Sequence, residues 1–482
     1  MSVAEESYGP FDEPEADVAL MPGRFNCTDL GNAERLVAAY RDEVRYCPQR
    51  KKWLNWDNTR WHWDEVGTIE RKAKATVRAI MRESDHADED RGKALRTWSF
   101  KSEESKRIKS MVSLAQTEAG IPVLLSELDA DPFLLNCDNG TVDLRTGELR
   151  DHRKSDLITR TTGLEYEFGA KSELWDRVLS EACGGDAELS AYIQAVAGYS
   201  LLGVPLERAF FFLHGPPGTA KSTIVDAMHA AMGGYAEGSD FDTWLQKPQV
   251  GGNRGDLVRL AGSRLVTSCE VKPGQKWDEA IIKKITGGDL LTFAAKYEND
   301  VTFKPSFSLL FAANDAPSAR EDDDGFWVRM KRIPLTHQIP VEKQDKHLKL
   351  KLQKPKHARA ILFWAVKGCC AYLANRGFPK CSAVENSTQE YRSDLDHFST
   401  FLAERCEFDP DFLVTRKDLR KAYELWAGEV GRKVLLDAKA IAKKLRARGC
   451  DDGSPRHGYQ TCRGVQLKAL GVMSEPEEGR WG

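Results

Sequence analysis

Ala209-Phe-Phe-Phe-Leu213 runs straight into His214-Gly-Pro-Pro-Gly-Thr-Ala-Lys-Ser222, and Thr223 opens the helical pattern TIVDAMHAAM. The unbroken apolar run reads as a buried strand, the glycines and prolines as a turn, and the periodic run as a helix. A strand, a Gly-rich loop and a helix in that order make a cradle for phosphate. Loop N–H groups and the helix N-terminus face the anionic oxygens. Gly215, Pro216, Pro217, Gly218, Thr219, Ala220, Lys221, Ser222 and Thr223 are therefore the expected ATP-contacting set. Lys221 would reach the β- and γ-phosphates and Ser222 would hold Mg²⁺. Ala220 stands where such loops ordinarily carry glycine, and its methyl group is tolerable if φ there is negative.

From Arg208 to Leu335 short apolar strands alternate with helical patterns, the signature of an α/β sheet domain. Arg264–Glu270 reads as a strand ending in an acid. An acid at the carboxyl end of a strand beside the loop is where Mg²⁺ and an attacking water need it. LLTFAAKYENDVTFKP reads as a hairpin with strands Leu290–Ala294 and Val301–Phe303 and a tip at Ala295–Asp300. Phe307–Ala313 is a further apolar strand, ending at Asn314, whose amide can hold the attacking water. In GFWVRMKRIP, Arg329 can project into a neighbouring subunit's nucleotide site and stabilise transition-state charge. Arg332, three residues on, is the alternative.

The rest of the 482 residues frames this α/β domain. Apolar residues at 41% and charged residues at 30% suit a globular protein, and no stretch is long and apolar enough to span a membrane. Residues 1–22 are acidic and lack a secretory pattern, so a disordered tail is expected. Eleven cysteines show no zinc spacing, and free thiols in a reducing cytoplasm are expected. Trp53-Leu-Asn-Trp56 and Trp61-His-Trp63 read as a small hairpin packing its rings into a core, with DNA stacking as the rival. Residues 132–168 read as short strands and turns, including the alternating run Leu157–Thr162. Asp129-Ala-Asp131 has the form of a metal-holding pair but precedes a turn into a strand, so a structural role is expected and priming by this chain is not. Glu321–Asp324 is expected to be a solvated loop.

A net charge of −3 excludes a uniformly basic nucleic-acid binder, yet residues 411–464 carry thirteen Lys/Arg against seven Asp/Glu. There TRKDLRKAYELWAGEV, DAKAIAKKLRARG and RHGYQTCRGVQL read as helix, helix and β-wing, a winged helix-turn-helix. Lys439, Lys443, Lys444, Arg446 and Arg448 lie on its second helix, several on one face.

The order GPPGTAKS, SCE, KKITGGD…AAKYEN, LLFAAND and GFWVRMKR resembles superfamily 3 helicases, in particular the phage and plasmid primase–helicase family related to the poxvirus replicative helicase. NCDNGTVDLRTGEL and ENSTQEYRSDLDHFSTFLAERC extend the resemblance over residues 45–468, to the helicase part without a primase domain. It implies that Lys221 and Ser222 bind ATP and Mg²⁺, that Glu270 is the Walker B acid, also on Mg²⁺, that Asn314 is the sensor and that Arg329 is the arginine finger. Lys296 and Tyr297 would form the tip of a DNA-gripping pore hairpin. Val271 departs from relatives that carry a second acid near Glu270. The implied fold is α/β: an AAA+-like P-loop NTPase motor with an N-terminal α+β/helical collar region and a C-terminal winged helix. Its expected parts are an N-terminal α+β domain (23–168), a helical collar (169–204), the motor (205–340), a helical region (341–408) and the winged helix (409–482). The implied function is a hexameric ring in a bacterial cytoplasm, translocating 3′→5′ on single-stranded DNA and unwinding forks to replicate a phage, plasmid or other mobile element, with a primase or polymerase of that element as partner. An initiator or loader ATPase, and a DNA-binding adaptor with a weak ATP site, are the alternatives.

Overall fold

The computed structural model describes residues 25–247, 254–293, 301–320, 322–430, 436–456 and 459–468; the expected acidic tail lies outside them. Two compact units emerge, Met1–Pro317 with Val328–Glu385, and Ser318–Trp327 with Asn386–Gly482.

The first unit opens with α1 (Asp29–Tyr40), β1 (Val44–Cys47), β2 (Lys52–Trp56), β3 (Trp61–Trp63), α2 (Thr68–Asp85), α3 (Glu89–Ser102) and α4 (Ser105–Ala115). The Thr28 hydroxyl caps α1 by accepting from Gly31 N. Leu36 and Tyr40 of α1 pack with Trp53, Val77 and Met111 in one core. The tryptophan-rich stretch forms an antiparallel sheet, β1-β2-β3, one strand larger than a hairpin. Trp53 and Trp61 are buried, as the core reading expects. Beneath the helices Arg35 meets Glu83 in a fully buried two-pronged pair, Nε–Oε2 2.7 Å and Nη2–Oε1 3.0 Å.

A second antiparallel sheet follows: β4 (Leu134–Cys137), β5 (Gly140–Asp143) and β6 (Glu148–Arg150). The alternating run Leu157–Thr162 is not a strand. Leu157 is left-handed (φ 51°), and the segment instead runs as irregular chain that bonds to β4, Thr162 N donating to Asn136 O. Asp129 accepts from Thr159 N and Oγ1, and Asp131 pairs with Arg145 at 3.1 Å, so both acids have structural partners.

After α5 (Glu173–Ala182) and α6 (Ala187–Tyr199) come β7 (Phe210–His214), α7 (Lys221–Met232), β8 (Ala236–Gly238), α8 (Gly255–Val258), β9 (Leu265–Cys269), α9 (Glu279–Gly287), β10 (Leu291–Phe293), β11 (Val301–Phe303) and β12 (Ser308–Ala313). The short α10 (Asp324–Trp327) belongs to the second unit; β13 (Met330–Pro334), α11 (Leu348–Leu352) and α12 (Pro355–Asn375) return to the first. A wholly parallel sheet runs β13-β7-β12-β9-β8. β7 is buried on both faces, which explains its unbroken apolar run. Phe210 and Phe212 pack on Trp277 on one side, and Phe211 on Tyr199 and Phe378 on the other. From β7 the chain crosses to the far edge at β8, steps back through β9 and β12, and then adds β13 on β7's other side. In open α/β sheets such a reversal leaves a crevice at the strands' carboxyl ends, where ligands bind.

α13 (Ser382–Leu395) leads into the second unit, with α14 (His397–Arg405), β14 (Cys406–Thr415), α15 (Arg416–Glu429), α16 (Ala438–Ala447), β15 (Asp451–Arg456) and β16 (Tyr459–Leu467). An antiparallel sheet β14-β16-β15 covers a core of Phe398, Phe401, Tyr423, Trp426 and Ile441. β14 crosses the expected 408/409 boundary. The acidic run is less solvated than expected: Asp323 has a side chain 8% exposed, accepts from Phe326 N and pairs with Arg320. Glu321 lies outside the described residues. All eleven cysteines are free thiols. Among the described residues no helix is long and apolar enough to cross a membrane.

Candidate functional site

A cleft of about 920 Å³ opens at the carboxyl ends of β7, β12 and β9. Pro217–Thr223, Glu270 and Asn314 all line it. Gly215 and Pro216 form the base of the loop and do not face the cleft. A Cβ on Gly215 would stand 1.9 Å from the Leu335 carbonyl oxygen, so only glycine lets the loop pass that strand end. Leu335 N donates to His214 O, Gln338 Nε2 to Pro217 O and Ile339 N to Gly218 O, strapping the loop from outside.

Lys221, the first residue of α7, is 8% exposed. Its ammonium donates to Gly215 O and Pro216 O, both at 2.7 Å, and to Thr219 Oγ1 at 3.0 Å. Burial lowers its pKa from the ordinary lysine value. Ser222 beside it is exposed to the cleft. Ala220 precedes them with φ 62° and ψ 12°, so the condition of a negative φ is not met. The turn from loop to helix requires the left-handed conformation, and here a Cβ-bearing residue adopts it at a cost of about 1–2 kcal/mol. Glu270 is left-handed too, at φ 67°, its N–H donating to Ala312 O. Two such non-glycine residues in one cleft are the kind of stored strain that gathers at functional sites.

Glu270 lines the cleft together with the loop, but its strand is not the immediate neighbour of the loop's strand. β9 pairs with β12, and β12 pairs with β7, so the strand carrying Asn314 intervenes. Ala313 stands opposite His214, which brings Asn314 next to the loop's entrance. Arg329 and Arg332 separate along β13. Arg329 precedes the strand, its carbonyl accepting from Phe210 N at the amino end of β7. Five residues at about 3.3 Å each put it roughly 16 Å along the strand from the cleft's end of the sheet. Arg332 instead reaches His214, Nη2 to Nδ1 2.8 Å. Lys296 and Tyr297 lie outside the described residues; β10 and β11, which flank them, pair antiparallel with Leu291 opposite Phe303.

Sequence reasoning missed several residues of the cleft. Arg177, Val178 and Glu181 of α5 form one wall, and Gln344–Lys346, Leu348 and Lys349 another. Lys349 pairs with Asp226 of α7 at 2.7 Å. No local signal marks them, because they reach the cleft from elements distant in sequence. Oxygen donors suited to Mg²⁺, the Ser222 hydroxyl and the Glu270 carboxylate, face the same cleft as Lys221. One carboxylate with a hydroxyl and substrate phosphates is a set this hard cation accepts.

The basic helix of the second unit has fewer uncommitted charges than its composition suggests. Lys444 pairs with Asp396 at 2.6 Å, Arg446 with Asp452 at 3.0 Å, and Lys443 lies 3.8 Å from Asp322.

Residues 33–184 match the family described as D5 N terminal like, and residues 213–332 match a family of unknown function (DUF5906). The chain is 26% identical over 301 residues to "Putative helicase L207/L206" of Acanthamoeba polyphaga mimivirus, covering 59% of this chain and 31% of that protein. It is 24% identical over 381 residues to "Putative helicase 022R" of Frog virus 3, covering 62% and 39%. The chain thus spans about a third of the length of these curated relatives. Among solved structures, the NrS-1 C-terminal region aligns with a TM-score of 0.48 at 11% identity, over 88% of this chain and 96% of that one.

Proposed function

We propose that the chain, which belongs to the D5-like helicase family of phages and viruses, is an ATP-driven DNA motor of the superfamily 3 type. The observation that carries this reading is the meeting of Lys221, Ser222, Glu270 and Asn314 in one cleft at the reversal point of a parallel sheet. In it the loop N–H groups and Lys221 bind the β- and γ-phosphates of ATP. Ser222 and Glu270 hold Mg²⁺, which when bound neutralises phosphate charge. Glu270 and Asn314 orient the attacking water. Arg329, on the far end of β13, completes the site of a neighbouring subunit. That arrangement calls for a ring, which we take to be a hexamer. Lys296 and Tyr297 grip single-stranded DNA by phosphate contact and stacking as the ring moves 3′→5′. The helix–strand–helix–helix–hairpin order of residues 397–467 acts as a winged helix on DNA. The replication of a mobile element, with a primase or polymerase alongside, is the setting.

The test is unwinding of forked DNA with ATP, alongside ATP turnover with and without single-stranded DNA. Wild-type protein unwinds, and DNA stimulates its turnover. Lys221→Ala abolishes both, whereas Lys296→Ala keeps basal turnover and loses unwinding. Turnover by Lys221→Ala at the wild-type rate would refute the nucleotide site. Unwinding by Lys296→Ala at the wild-type rate would refute the DNA grip.

A further inference from the structure

The chain that follows β13 runs from the glycine-rich loop to α7. At one end Gln338 and Ile339 donate to the Pro217 and Gly218 carbonyls. At the other, Leu352 of α11 is fully buried and Leu348 packs on the core that holds Ile224 and Val225 of α7. This anchored stretch places Lys349 in the wall of the cleft that Ser222 and Glu270 also line. Its ammonium lies 2.7 Å from Asp226 Oδ2, with the two side chains 47% and 37% exposed. Asp226 follows Ser222 by four residues, so it shares that face of α7 one turn further from the loop. The pair also stands near the end of β9. Burial and then Asp226 push the Cys269 thiol up to about 11, while Lys349 pulls it down. Cys269 immediately precedes Glu270, so Lys349 belongs to the Ser222 and Glu270 end of the cleft.

We propose that Lys349 is a second phosphate-binding cation of the nucleotide site, held by Asp226 until ATP arrives. The proposal rests on the cleft being an ATP site. An ion pair as exposed as Lys349 and Asp226 is worth only about 0–1 kcal/mol, so exchange of its carboxylate for a phosphate oxygen costs little. Lysine suits the exchange, being a mobile point charge with three N–H donors on a flexible stem. Lys221 then approaches the phosphates from the loop and Lys349 from the opposite wall. No motif marks Lys349, because it reaches the cleft on a helix beyond the last strand of the sheet.

Calorimetric titration of the full chain with ATP and Mg²⁺ tests this with Lys349→Gln, Lys349→Arg and Asp226→Asn, beside Lys221→Ala as the reference. Lys349→Gln should weaken ATP binding about tenfold, the size of one lost hydrogen bond to a charged group. Lys349→Arg should restore most of the affinity, since the charge is kept. Asp226→Asn should bind ATP at least as tightly as wild type, because the carboxylate that competes for the ammonium is gone. A pair that merely braced α11 on α7 would respond alike to the loss of either partner. Equal weakening in Lys349→Gln and Asp226→Asn therefore overturns the proposal, as does a Lys349→Arg no tighter than Lys349→Gln. Wild-type affinity in Lys349→Gln beside a weakened Lys221→Ala overturns it alone. Wild-type affinity in Lys221→Ala removes the nucleotide site itself, and the proposal with it. Both partners are partly exposed, so every variant should keep the wild-type Tm in the absence of ATP to within a few degrees.

Discussion

Arg332 Nη2 lies 2.8 Å from His214 Nδ1, joining the strand that follows Arg329 to the residue that opens the glycine-rich loop. A guanidinium only donates, so Nδ1 is the acceptor and the imidazole is neutral. Burial, then the positive charges of Arg332 and Lys221, push the His214 pKa down to about 4, against a smaller upward pull from the Asn314 carbonyl. His214 therefore ties β7 to both of its neighbours at the cleft's edge. It also engages Arg332 within its own chain.

Stability should carry the mark of that neutral histidine. The folded pKa of about 4 lies below the ordinary value of 6.5, so between those values the unfolded chain binds a proton that the folded chain refuses. Stability is thus eroded as pH falls from 6.5 towards 4, and the contribution levels off below that. His214→Gln should show a smaller fall in Tm between pH 7 and pH 5 than wild type. An equal fall in both proteins means that His214 titrates normally.

Ala220→Gly should stabilise. Relief of the left-handed alanine is worth about 1–2 kcal/mol, and glycine's extra freedom in the unfolded chain takes back about 0.4–1 kcal/mol. A Tm rise of roughly 1–2 °C is expected in a unit of this size, with ATP affinity retained. A lower Tm for the variant would show that Ala220 does not hold a positive φ.

Glu270→Gln should bind ATP with near wild-type affinity yet lose turnover by about a hundredfold or more, because the amide keeps the shape but cannot polarise water. Asn314→Ala should show the same split between binding and turnover. Nucleotide titration beside steady-state ATPase separates the two quantities; turnover near wild type in Glu270→Gln places the catalytic acid elsewhere.

Glu83→Ala should be strongly destabilising although it lies far in sequence from the cleft. Arg35 would keep its carbonyl partners Phe25, Asn26 and Gly31 but lose its buried counter-charge. Removal of one partner of a buried pair costs about 3–5 kcal/mol. Chemical denaturation of the purified variant measures it, and a loss under about 1 kcal/mol would mean water reaches the pair.

By itself the sequence determined the strand, loop and helix at 209–232, because their signals are local: an apolar run, glycines and prolines at a turn, and a 3.6-residue period. It equally determined that Asn314 and Glu270 each end a strand, and that the tryptophans at 53 and 61 are core. Tertiary structure alone decided which strands are neighbours. Nothing in the periodicity of 264–270 or 307–313 says that β12 lies between β9 and β7, since strand order depends on how long connections pack and not on the residues within a strand. The same long-range packing brought Arg177 and Glu181 to the cleft from a helix some forty residues upstream, held Ala220 in a left-handed turn, and paired Lys444 and Arg446 with acids that a count of charges treats as independent. It also parted Arg329 from Arg332: Arg329 stands before the amino end of β13 and Arg332 at its middle, about 10 Å further on, because an extended chain advances about 3.3 Å per residue.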